Sequence, residues 1–195
     1  MANYNKKMSD TTIRIGEVRF GYVNVFAPRP GEDGKPGKYS VQILIPKTDS
    51  AAVQLIQEAI EAAKKNGVTS KWNGKMPVAS KLKTPLRDGD EEFPDDDNYA
   101  GMYFMNASSP ADYKPGVCVL ENGTISEALD GEDFYSGCWG CATVALFPYS
   151  TSGNMGVACG LNNVIKTREG ERLAGGRSAA ADFGDLVGAA AGCLE

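Results

Sequence analysis

TIRIGEVRFGYVNVF, residues 12–26, is β-branched and aromatic and close to alternating, the pattern of a strand with one covered face. Alternation puts Phe20, Tyr22, Asn24 and Phe26 on one face and Arg19, Val23 and Val25 on the other. Gly16 and Gly21 inside the run mark a bulge or a close backbone approach. Outward from this strand, APRPGEDGKPGK at 27–38 reads as a Gly/Pro-rich loop. KYSVQILIP then reads as a second strand, with Tyr39, Val41, Ile43 and Ile45 on one face and Pro46 ending it.

One helix is expected at about 50–66. Thr48, Asp49 and Ser50 offer N-caps, and Gly67 offers a C-terminal stop. Ala52, Val53, Ile56, Ala59, Ile60 and Ala63 recur at helical spacing. Residues 66–100 show no sustained period and read as a long loop or arm. GMYFMNASS at 101–109 reads as a strand, and VCVLENGTI as a weaker one with a turn at Asn122-Gly123. FYSGCWGCATVALFPYS, residues 134–150, reads as a long strand. Trp139, Cys141, Thr143, Ala145, Phe147 and Tyr149 share one of its faces, and Ala142, Val144 and Leu146 the other. NMGVACGLNNVIKTR follows a tight turn at Ser152-Gly153.

These segments divide the chain into a flexible lead to residue 11, a domain over 12–170 and a loosely ordered Gly/Ala-rich tail over 171–195. Strands separated by turns, with one helix, imply a mainly β protein built as a small closed or partly open barrel.

Composition narrows the chemistry. The chain has 195 residues, so one domain is the prior, and 42% apolar with 23% charged residues is ordinary globular usage. There is no His. That excludes a Ser-His-Asp hydrolase, a His-ligated zinc enzyme and a non-haem iron enzyme. No apolar run is long enough to span a membrane, and MANYNKKMSDTT has no apolar core of a signal peptide. Five cysteines (Cys118, Cys138, Cys141, Cys159 and Cys193) in such a chain read as reduced thiols.

The net charge of −5 hides a segregation. Residues 64–87 hold seven basic side chains and no acidic one; residues 88–97, DGDEEFPDDD, hold seven acidic and no basic. Fields act locally, over a Debye length of about 8–10 Å, so such a chain can present a positive face.

Each candidate chemistry stands beside a plainer reading. Cys138-Trp-Gly-Cys141 would need Cys118 and Cys159 to complete a tetrahedral zinc; the plainer reading is small residues on a bulged strand. A redox dithiol expects a βαβ context, which is missing. The acidic run lacks calcium-loop spacing and reads as a solvated loop. GEDGK at 31–35 is too short for a phosphate loop, and there is no GxSxG. No cofactor or metal is expected. A basic segment with exposed rings remains, the combination that binds single-stranded nucleic acid: rings stack on bases and cations follow the phosphates. The same rings could equally cap the core, and the same lysines line a solvated loop.

Five blocks carry a family resemblance: YSVQILIPKTD, TPLRDGDEE, YAGMYFMNASS, FYSGCWGCATV and GVACGLNNVIKTREGERLAGGRSAAADF. In order and over about residues 12–183, they resemble phage and prophage single-stranded-DNA-binding proteins, similar to the DNA-binding protein of T7-like phages. The resemblance implies an OB-fold, a five-stranded Greek-key barrel. It implies non-enzymatic, sequence-independent binding of single-stranded DNA in phage replication or recombination, in the host cytoplasm, as a monomer or homodimer. It also implies that replication partners meet an acidic tail, here reduced to Asp182, Asp185 and Glu195. Cys141 stands where the family commonly has a basic residue, and Ala145 where it has a polar or basic one. The residues assigned to DNA are Tyr22, Phe26, Trp139, Phe147 and Tyr149 for stacking. Lys71, Lys75, Lys81, Lys83 and Arg87 are assigned to phosphates, with Lys166 and Arg168 as lesser contacts. The alternatives are a virion-decorating β-barrel and a zinc-stabilised barrel.

Overall fold

The computed structural model describes residues 4–31 and 34–173. Among the described residues, ten strands and two α-helices follow one another in the order β1 (Lys6–Lys7), β2 (Thr12–Arg29), β3 (Lys38–Pro46), α1 (Ser50–Ser70), β4 (Leu82–Lys83), β5 (Arg87–Asp88), α2 (Gly89–Glu92), β6 (Met102–Pro110), β7 (Gly116–Glu121), β8 (Thr124–Glu127), β9 (Trp139–Thr151) and β10 (Asn154–Arg168). Five of them close a barrel. β2 pairs with β3, β3 with β6, β2 with β9 and β9 with β10, all antiparallel. A parallel contact between Gly160 of β10 and Ser108 of β6 shuts the ring. This is the expected five-stranded barrel, elaborated by the β7–β8 hairpin alongside the end of β10 and by β4 alongside its start.

The barrel forms because alternate residues of each strand meet inside it. Ile13, Ile15, Val18, Phe20 and Val25 of β2 join Val41, Ile43 and Ile45 of β3, Met105 and Ala107 of β6, Val144 and Leu146 of β9, and Val157, Cys159, Leu161 and Val164 of β10. α1 lays Ala52, Ile56, Ala59, Ile60 and Ala63 onto the same core. Its N-cap is Asp49, whose carboxylate accepts from the Ala52 N–H at 3.0 Å.

Four expectations are corrected. Gly67 does not stop α1, which runs on to Ser70. A Cβ at Gly67 would lie 2.5 Å from the Trp72 ring, so glycine is there to seat that indole. Residues 66–100 are not a free arm, since β4, β5 and α2 fold in short pieces against the barrel. β9 begins at Trp139, not residue 134, because Gly137 takes φ 113° and turns the chain. From residue 4 onward the lead is not loose: β1 folds back onto Ile13 and Arg14 of β2. The two predicted turns hold. Asn122-Gly123 and Ser152-Gly153 both have positive φ at both residues, as two-residue hairpins require.

The face assignment of β2 is also corrected. Phe20 is fully buried, whereas Tyr22 is 67% exposed. The register slips between Gly21 and Asn24, and Tyr22 takes φ 46°. This bulge breaks the alternation that placed Phe20 and Tyr22 together. The tail expected over 171–195, with Asp182, Asp185 and Glu195, lies outside the described residues beyond 173.

Candidate nucleic-acid interface

The outward side of the barrel carries the polar positions of the same strands. Asn24 is paired with Ser40, Ser40 with Ser108, and Ser108 with Gly160. These four lie beside inward-facing Val25, Val41, Ala107 and Cys159, so they share the outer face. The row crosses β2, β3, β6 and β10 and is about 14 Å wide at the usual strand spacing. It is floored by small side chains and walled by rings. At one end Tyr22 projects from the β2 bulge, and its carbonyl accepts from Asn24 Nδ2 at 2.8 Å. At the other, Phe147 is 47% exposed and lies over Gly160, where a Cβ would come within 3.3 Å of its ring.

A second row, Gly21–Gln42–Asn106, runs beside the first. Tyr99 OH donates to Gln42 Oε1 at 2.7 Å, and Gln42 Nε2 donates to Asn106 Oδ1 at 3.3 Å. Burial raises the Tyr99 hydroxyl above its ordinary 10.0, and the nearby Tyr22 phenol adds to the rise. Beyond this row the face is closed. Phe93 packs on Tyr99 and Phe104 with ring centroids 4.3 and 5.5 Å away, and those two rings cluster with Leu44 under Leu173. The acidic segment 88–97 is therefore docked on the outer face of β3 and β6. Lys47 ties it down, reaching Asp88 at 2.5 Å and Asp90 at 2.7 Å.

The basic segment comes to the tip of the β9–β10 hairpin. Trp72 Nε1 donates to the Tyr149 carbonyl at 3.1 Å, β4 pairs with Met155 and Gly156, and Lys83 Nζ donates to Asn154 Oδ1 at 3.0 Å. Lys71, Lys75, Lys81 and Lys83 are exposed there, two residues along β9 from Phe147 to Tyr149. The structure thus brings Tyr22, Phe147, Tyr149 and these four lysines around one face.

It does not bring the rest. Phe26 is partly buried and packs against the core. Lys166 is 6% exposed and its ammonium is bonded to the exposed Glu169 at 2.6 Å, so it is not held out to solvent on this face. Arg87 is paired with Glu92 and its guanidinium lies 4.6 Å over Phe104, holding the acidic segment. Trp139 stands at the opposite end of β9, about 26 Å from Phe147 at 3.3 Å per residue. Arg168 lies 4.7 Å over its ring, and the two line a separate cleft with Tyr4, Glu17 and Asp49.

Sequence reading missed Ser40, Gln42, Asn106 and Ser108, although polar residues at alternate positions of two apolar strands were a usable signal. It also missed Arg29, Lys35 and Lys38, exposed at the β2–β3 loop, which were passed over as loop residues. The thiols among the described residues do not form a centre. Cys138 and Cys159 lie in the core, Cys141 lies against Gly16, and no group of three or more metal-ligating side chains converges among the described residues. Burial pushes Cys138 and Cys141 up to about 11 and Cys159 to about 12.

Fold and face together define an OB-fold barrel with an open outer face that crosses β2, β3, β6 and β10. The family of the Enterobacter phage Enc34 ssDNA-binding protein matches residues 11–191, and the chain belongs to it. A protein of Acyrthosiphon pisum secondary endosymbiont phage 1, p50, is 33% identical over 182 residues, 89% of this chain and 93% of its own length. The structure of the single-stranded DNA-binding protein from bacteriophage Enc34 in complex with ssDNA is similar at 27% identity and TM-score 0.75, covering 89% of this chain and 96% of that one. gp2.5, a single-stranded DNA binding protein encoded by bacteriophage T7, shares the fold at 18% identity and TM-score 0.54, over 91% of this chain and 94% of its own.

Proposed function

We propose that this chain binds single-stranded DNA across the outer face of its barrel, without catalysing a reaction, during phage replication or recombination in the host cytoplasm. The observation that carries this reading is the floor Asn24–Ser40–Ser108–Gly160, open between Tyr22 and Phe147 and flanked by lysines. Small polar floor residues leave room for bases, and exposed rings at either end offer stacking platforms. Lys71, Lys75, Lys81 and Lys83 at the hairpin tip, and Arg29, Lys35 and Lys38 at the β2–β3 loop, supply cations where the backbone would enter and leave. No helix among the described residues is long and apolar enough to cross a membrane. Membership of the Enc34 family supports the same ligand.

Anisotropy of a labelled oligo(dT), titrated with protein at several salt concentrations beside a matched duplex, tests it. The single strand should bind more tightly. The slope of log K against log salt should be about −3 to −4, at about −0.7 per phosphate for ~4–6 contacts. No binding, or a slope near zero, overturns the proposal.

A further inference from the structure

We propose that Asn106 reads base edges on this face and favours keto bases over amino bases. The inference deepens the single-strand reading and rests on it.

Asn106 is exposed on β6, in the row Gly21–Gln42–Asn106 that adjoins the small-residue floor. Its amide is oriented through a chain that starts two elements away. A phenol O–H has one hydrogen to give, and that of Tyr99 goes to Gln42 Oε1 at 2.7 Å. The other end of the same amide, Nε2, donates to Asn106 Oδ1 at 3.3 Å. Gln42 is 7% exposed and Tyr99 4%, so little water is at hand to replace either bond. The Asn106 carbonyl is engaged, and no acceptor among the described residues takes its Nδ2 hydrogens. What Asn106 holds out to the open face is a pair of donors. Tyr22 and Tyr99 interact electrostatically, so the chain begins beside the exposed ring on which a base would stack.

A donor pair discriminates by chemistry. Thymine O4 and guanine O6 are acceptors and complete the hydrogen bond; the exocyclic amines of cytosine and adenine are donors and meet it donor to donor. A free Asn could turn its amide over and serve either kind. Here the turn would break the bond to Gln42 and set two amide donors against each other. The result is a modest bias laid over binding that is otherwise set by stacking and charge.

The test compares oligo(dT) with an oligonucleotide of 5-methylcytosine of equal length, at pH 8. The two bases share ring and methyl, so stacking is nearly matched, and they differ in the keto or amino group and the adjoining ring nitrogen. The wild type should bind the thymine strand about three- to tenfold more tightly, the value of one net hydrogen bond. Asn106→Ala should bring the ratio to about one. Asn106→Asp, which only accepts, should weaken both strands by charge and reverse the ratio. Tyr99→Phe, which releases Gln42, should lower the ratio while Asn106 remains in place. Equal binding of the two strands by the wild type, or an unchanged ratio in Asn106→Ala, overturns the assignment and leaves single-strand binding standing. Failure of the wild type to bind either strand overturns both.

Discussion

Phe147 and Leu146 are neighbours with opposite fates: Phe147 is 47% exposed, Leu146 2%. Phe147→Ala or Tyr22→Ala should weaken oligonucleotide binding by about 1–3 kcal/mol, the usual worth of a base–aromatic stack, with little change in melting temperature. Leu146→Ala should cost about 2–5 kcal/mol of stability through the cavity it leaves. Affinity and thermal melts on the same three variants check the exchange, and a Phe147→Ala protein that unfolds would move that ring into the core. The thiols give a second expectation at this scale. Cys138 and Cys141 are raised to about 11 and Cys159 to about 12 by burial, so all three stay protonated at neutral pH. Iodoacetamide at pH 7.5 should leave them unmodified in the native protein and alkylate them fully in denaturant, read by peptide mass spectrometry.

Within elements, local preference and packing disagree at instructive places. Gly in a helix interior normally costs about 1 kcal/mol relative to Ala. In α1 the sign should reverse: Gly67→Ala sets a Cβ 2.5 Å from the Trp72 ring, and overpacking of this kind costs about 1–3 kcal/mol. Chemical denaturation would show it, and a stabilised Gly67→Ala protein would mean that Trp72 does not pack there. The end of β10 carries a pH-sensitive pair. The Lys166 ammonium, and then the Tyr135 hydroxyl, hold Glu169 below its ordinary 4.5. Burial alone would lower Lys166, and Glu169 outweighs it, leaving that ammonium above 10.5. A carboxyl depressed by folding contributes stability above its unfolded pKa and loses it as pH falls through the lower folded value. Stability should therefore decline as pH drops below about 4.5, and Glu169→Gln should flatten that part of the profile while being less stable at pH 7.

Across the whole molecule, cations gather at two places on the rim of one face while the acidic segment is folded against its far side. Both places should count in binding. Lys81→Ala with Lys83→Ala should reduce the salt slope by about 1.4, at about 0.7 per lost phosphate contact, and so should Lys35→Ala with Lys38→Ala. Lys65→Ala, on the solvent side of α1, should leave the slope unchanged. If only one of the two pairs changes the slope, the strand leaves the face on the other side.

The strands at 12–26, 38–46 and 101–109, the helix under its apolar stripe, and both Gly-containing hairpin turns were legible in the chain, because each depends on residues close in sequence. So was the outward position of Phe147, which follows from alternation along an unbroken strand. The separation of Tyr22 from Phe20 was not, since a bulge is a mismatch between two strands and only pairing reveals it. Nor was the burial of Lys166, which depends on Glu169 and on Tyr135 from another part of the chain. The floor itself is purely tertiary. Asn24, Ser40, Ser108 and Gly160 are unremarkable in four separate strands, and only barrel closure sets them in a row. Local sequence determined which side of each strand meets water; the order and register of the strands decided which of those sides join to make a surface.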